Sequence, residues 1–126
     1  FKETLETITL KGISGAEQIK EIMEKLRNDP PTALGGIAVR ELRDYQKSVA
    51  KVIKDSDVHK AGDTYELTLP TSNVLYFDME DNAWCCARPS GTEPKIKFYI
   101  GVKGDSLEDA DKKLTAVKDA LMELVK

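Results

Sequence analysis

The fold class predicted by the sequence is α+β: an antiparallel four- to five-stranded sheet with two amphipathic helices packed on one face. Three observations predict it. The elements read strand, helix, several strands, helix along 126 residues. The central strand candidates follow one another within a few residues, which favours antiparallel pairing because parallel neighbours need a long crossover. Two stretches repeat apolar residues at three- and four-residue steps, so each forms a helix with one face to bury against a sheet. The length suits a single domain, 1–126, with one modest core.

The first element is TLETITLKG, which alternates Leu5, Thr7 and Thr9 against Ile8 and Leu10 as a lead-in strand does. Ser14 with Glu17 three residues later makes a capping box, in which each side chain satisfies a free backbone donor of the other. Ala16, Ile19, Ile22, Met23 and Leu26 then share one helical stripe, and Pro30 and Pro31 end it. GGIAVRELRDYQ sets Ile37 and Val39 against Ala38 and Arg40, a second strand. Positions 44–72 are polar, with Lys47, Lys51, Lys54, Lys60 and a short YELTLP. They read as a long, mostly irregular excursion or a protruding hairpin, a solvated insertion rather than a binding arm.

Three strands follow in quick succession: NVLYFDM, AWCCAR and IKFYIGVK. EDN between the first two is turn chemistry, and Asn82 tolerates positive φ. Ser106 with Asp109 forms a second capping box, opening a helix whose stripe is Leu107, Ala110, Leu114, Val117, Leu121 and Leu124.

Composition narrows the function. Hydrophobic residues make up 40% and charged residues 33%, as in a soluble globular chain. No apolar run is long enough to span a bilayer and no signal-peptide core is present, so a cytoplasmic protein without a membrane partner is expected. A net charge of −3 argues against a nucleic-acid partner but leaves room for a small basic pocket. Cys85 and Cys86 are adjacent, so on a strand they leave opposite faces and do not bridge. His59 is the one histidine and reads as a surface residue, and the acidic residues from Asp105 to Asp111 suit a helix N-terminus without a metal. The chain opens on Phe1 within a strand-like pattern, as a piece of a longer chain would; a processed start would look the same.

The stretch ARPSGTEPKIKFYI carries the candidate site. Along AWCCAR the side chains of Trp84, Cys86 and Arg88 share a face, so Arg88 emerges where the strand ends. Pro89 fixes a φ and Gly91 permits a tight turn with unobstructed amides. A phosphate needs donors converging from several directions, best with a planar guanidinium among them. Arg88, Ser90, the Gly91 amide, Thr92 and Lys97 together supply them, Lys97 lying on the returning strand opposite the Ile96, Phe98 and Ile100 face. The same residue types also suit an ordinary surface turn, and Glu93 opposes an anion unless Lys95 neutralises it.

RPSGTEPKIKFY resembles the phosphate-binding loop in the C-terminal domain of the α-D-phosphohexomutases, the family of phosphoglucomutases and phosphomannomutases. The likeness runs over nearly the whole chain, through ETITLKG, GAEQIKEIMEKLR, SNVLYFDMEDNAW and the closing helix, and is greatest to the bacterial phosphoglucomutase/phosphomannomutase type. The resemblance implies a TATA-box-protein-like fold, the last of four domains, whose loop grips the phosphate of a bound phosphosugar. It implies Arg88, Ser90, Gly91 and Thr92 as phosphate ligands. Lys97 stands where many relatives have arginine, exchanging a fork for a point charge.

The resemblance further implies a parent enzyme that moves a phosphoryl group between the 1- and 6-positions of a hexose. That enzyme uses a phosphoserine, Mg²⁺ and a hexose 1,6-bisphosphate intermediate. The serine loop, the Asp-rich metal loop and the Gly-Glu-Ser sugar loop of the family are not found in this sequence. The expectation is therefore a substrate-phosphate grip that works with the remaining three domains, without catalytic or metal residues or a cofactor of its own. The alternatives are a freestanding phosphate or phosphosugar-binding module and, last, a nucleic-acid binder, since fold does not carry function.

Overall fold

Every strand pairing is antiparallel, those joined by tight turns and those between strands distant in the chain alike. The structure, a computed structural model, describes residues 2–9, 13–55, 59–90 and 95–124. Its elements are β1 (Lys2–Thr9), α1 (Ile13–Asn28), β2 (Ala33–Leu34), β3 (Ile37–Asp44), β4 (Val49–Val52), β5 (Thr64–Glu66), β6 (Leu75–Met79), β7 (Trp84–Pro89), β8 (Lys95–Val102) and α2 (Leu107–Leu124). Across the sheet the order is β1-β8-β7-β6-β3-β4-β5, with β2 folded back on β3. The first and last strands thus pair, Lys2 opposite Val102 through Thr9 opposite Lys95.

This is the expected α+β architecture, with a sheet wider than four or five strands. The added width comes from the 44–72 stretch, whose β4 and β5 extend the sheet beyond β3. That stretch is a sheet extension joined by irregular chain, closer to the hairpin reading than to a detached excursion. Its strands, four and three residues long, are too short to show an alternation in sequence.

Tight turns set the registers. Gly35 and Gly36, at φ 59° and 82°, turn β2 into β3, and Asp81 and Asn82, at φ 59° and 57°, turn β6 into β7. Both are the primed geometry whose twist matches flanking strands. The alternation in β3 is interrupted by a bulge between Val39 and Glu41, so its buried residues are Ile37 and Val39, then Leu42 and Asp44.

The core lies on one face. Phe77, Cys85, Ala87, Ile96, Phe98, Ile100 and Val102 are all buried, and they join Ile19, Met23 and Leu26 of α1 and Ala110, Val117 and Leu121 of α2 in one cluster. Gly35 rests directly on α2: a Cβ there would lie 2.5 Å from the Ala116 carbonyl carbon. Three details differ from expectation. Helix α1 starts at Ile13, which places Ser14 in its first turn rather than at its cap. Leu107 is 73% exposed, because the stripe of α2 reaches the sheet only from Ala110 onward. At the second box the Ser106 hydroxyl accepts the Asp109 amide at 3.1 Å, whereas the Asp109 carboxylate accepts the Asp105 amide at 2.9 Å instead of that of Ser106.

The opposite face carries its own side-chain ladder. The Arg43 guanidinium lies 5.2 Å over the Tyr76 ring, and Tyr76 stacks on Trp84 at 6.0 Å. Trp84 in turn covers Gly101, where any Cβ would run into the indole. Among the described residues no helix is long and apolar enough to cross a membrane.

Candidate functional site

The end of β7 and the start of β8 bring part of the predicted set together. Arg88 stands directly opposite Lys97 in the ladder, so both leave the sheet on the face away from the helices. Both are exposed, whereas their neighbours Ala87, Ile96 and Phe98 are buried. Trp84 and Cys86 share the face with Arg88, as the alternation requires. The Ser90 amide donates to the Lys95 carbonyl at 2.8 Å and closes the hairpin on the strand side. Gly91 and Thr92, with Glu93 and Pro94, lie outside the described residues.

The electrostatics of this pair are informative. Two cations directly opposite on one face repel, and such pairs destabilise a sheet. Among the described residues neither Arg88 nor Lys97 has a carboxylate partner. By contrast Arg43 on the same face is matched by Glu41 at 2.7 Å, and Arg27 on α1 by Asp44 at 2.8 Å. The arrangement at the hairpin is a pair of adjacent positive groups that an anion would reconcile.

The cysteines offer no competing chemistry. Burial pushes the Cys85 thiol up strongly, and burial also raises that of Cys86 even though Arg88 acts to lower it. Neither is a thiolate at neutral pH, so neither is a nucleophile. His59 stacks on Tyr65 at 5.4 Å, which gives it a packing role.

Two other connections meet at the sheet end that carries this hairpin. Asp44 pairs with Leu75 and Leu75 with Ala87, so the turn after β3 and the chain before β6 emerge beside the end of β7. The Arg27 guanidinium ties them together. Its Nε donates to Asp44 at 2.8 Å, Nη1 to Glu24 at 2.8 Å and Nη2 to Asn73 at 3.0 Å. The other Asp44 oxygen accepts the Gln46 and Lys47 amides at 3.1 and 3.3 Å. Arg27 and Asp44 are the buried charged residues of the described chain. Sequence reasoning passed over both. The available signal was position: Arg27 lies four residues after Met23, on the stripe that α1 buries.

No protein-family model matches the chain. It is 36% identical over 117 residues to proteins named phosphoglucomutase from Staphylococcus aureus strains bovine RF122 / ET3-1 and USA300, and 35% identical over the same length to that of strain MRSA252. Each match covers 92% of this chain and 20% of the relative. The chain therefore spans about a fifth of the length of these curated relatives.

Proposed function

We propose that the chain, which is similar over 92% of its length to a fifth of each phosphoglucomutase relative, is one domain of a phosphohexomutase and grips the phosphate of a bound phosphosugar for that parent enzyme. The observation that carries this reading is the in-register pair of Arg88 and Lys97 at the mouth of the hairpin. A phosphate dianion would relieve their repulsion and take charge-assisted hydrogen bonds from both. Ser90, Gly91 and Thr92 complete the proposed ligand set.

The parent would be of the bacterial phosphoglucomutase/phosphomannomutase type, with this chain as its C-terminal domain. Phosphoryl transfer between the 1- and 6-positions, the Mg²⁺ and the bisphosphorylated intermediate belong in this reading to the parent enzyme and its remaining domains. The domain contributes by holding a phosphate that is not reacting. Binding energy away from the reacting atoms is used to orient the substrate and to hold the site closed. By itself the domain binds without turnover.

An amide-shift titration of the chain with glucose 6-phosphate tests this. Shifts are expected at the amides of Arg88, Ser90, Gly91, Thr92 and Lys97. Arg88→Ala should lower affinity by about 1.5–3 kcal/mol, the value of a hydrogen bond to a charged group, while leaving the fold intact because the side chain is exposed. Unchanged affinity in that variant would remove Arg88 from the site.

A further inference from the structure

The two edges of the sheet are built differently. At one end β5 is three residues long (Thr64–Glu66), too short to offer much to another strand. At the other end β1 runs Lys2–Thr9 without a proline and in unbroken register with β8, and among the described residues it pairs on that side alone. The backbone groups along its outer side are a template for a further strand. Helix α2 packs over β1 and β8. Its Lys113 reaches Asp81 at 3.7 Å and its Ala116 backbone lies against Gly35, so that flank faces the middle of the sheet. The other flank, towards the β1 edge, carries Leu107, Leu114 and Met122, the first exposed and the others half-buried.

We infer that this edge is a dimerisation surface, which takes β1 of a second copy antiparallel across a two-fold axis centred on Thr4. Self-complementarity of charge selects the second copy and the register. A two-fold antiparallel ladder sets each face of the strand opposite itself, because successive residues alternate in face. Centred on Lys2, Glu3 or Glu6, it would place like charges opposite one another, which destabilises a pair of strands. Centred on Leu5, it would match no charges. Centred on Thr4, it places Lys2 of each copy opposite Glu6 of the other, with Thr4 opposite Thr4 between two attractive pairs. Both copies then carry their helices on one face of a continuous sheet. The Leu107, Leu114 and Met122 flank of one α2 comes beside that of the other, adding apolar burial to the new ladder. In β8 the partners of Lys2–Glu6 are Val102–Phe98, so the ladder stops short of Lys97 and leaves the hairpin open. The inference is independent of the phosphate grip.

Sedimentation equilibrium of the 126-residue chain across a wide concentration range tests it. A dimer is expected at high concentration and a monomer on dilution. Lys2→Glu and Glu6→Lys should each raise the dimer dissociation constant roughly tenfold, because two cross-strand pairs change sign together. The double variant should restore the wild-type value. Leu107→Lys, at an exposed position, should weaken the dimer and leave the urea midpoint of the dilute monomer unchanged. A chain that stays monomeric throughout would overturn the inference. So would a dimer indifferent to either strand charge, or one that the double variant fails to restore. Should a strand variant fail to fold, a dimer indifferent to Leu107→Lys would overturn it alike.

Discussion

Glu41 receives two donors on the open face, the Tyr65 hydroxyl and Arg43 Nε at 2.7 Å. Burial pushes its carboxyl up, but these hydrogen bonds more than offset that and hold it below its ordinary value of 4.5. A depressed folded-state value stabilises the fold fully above pH 4.5, and that stability is lost as pH falls through the folded value. Tyr65→Phe removes one donor. The expected loss at neutral pH is about 1 kcal/mol, less than a dry charged hydrogen bond contributes because the site is partly open to solvent. Urea melts at about pH 7 and about pH 3 should show the difference at the first and its shrinkage at the second. A difference that persists at low pH would mean that the Tyr65 hydroxyl contributes by some route other than the charged Glu41 carboxylate. None of this was legible in sequence, where Glu41 and Tyr65 are 24 positions apart and meet only through the pairings of β3, β4 and β5.

At the scale of elements, α2 separates periodicity from burial. Leu107 and Leu121 belong to the same stripe, yet Leu107 is exposed and Leu121 is fully buried. Leu121→Ala should destabilise by about 2–5 kcal/mol through the cavity it leaves. Leu107→Ala should stay within about 0.5 kcal/mol, as surface changes do. Chemical denaturation of both variants checks the pair, and equal destabilisation would mean that the first turn of α2 packs as tightly as its middle. Both helices and the strands β1, β3, β6, β7 and β8 were readable because their repeat is sustained over several residues. The short strands β2, β4 and β5 were not, since a strand of two to four residues cannot show a period. At the hairpin, alternation alone placed Arg88 with Trp84 and Cys86 and put Lys97 on the side away from Ile96. The register that sets Arg88 opposite Lys97 came from the structure.

For the whole molecule, the division between a helix-covered face and a face bearing the hairpin's cations predicts that binding and folding are coupled only through mass action. A ligand at a hundred times its dissociation constant stabilises a fold by about 2.7 kcal/mol. Glucose 6-phosphate at that excess should raise the urea midpoint of the chain accordingly. In Arg88→Ala at the same ligand concentration the stabilisation should fall to about 0.3–1.3 kcal/mol, as its loss of affinity requires, and the midpoint without ligand should stay at the wild-type value. A lower midpoint in the ligand-free variant would show instead that Arg88 supports the fold.

Local chemistry was sufficient for the two helices, the turn at Asn82, the strands leading into and out of the hairpin and the candidacy of Arg88, Ser90 and Lys97. Each of these depends on residues within a few positions of one another, through caps, periods of two and 3.6, and turn geometry. Long-range folding alone decided the pairing of β1 with β8, the sheet extension by β4 and β5 and the buried Arg27–Asp44 ion pair. Those features join segments far apart in the chain, and they arise from how the sheet packs on α1 and how its connections meet at one end, which no local pattern encodes.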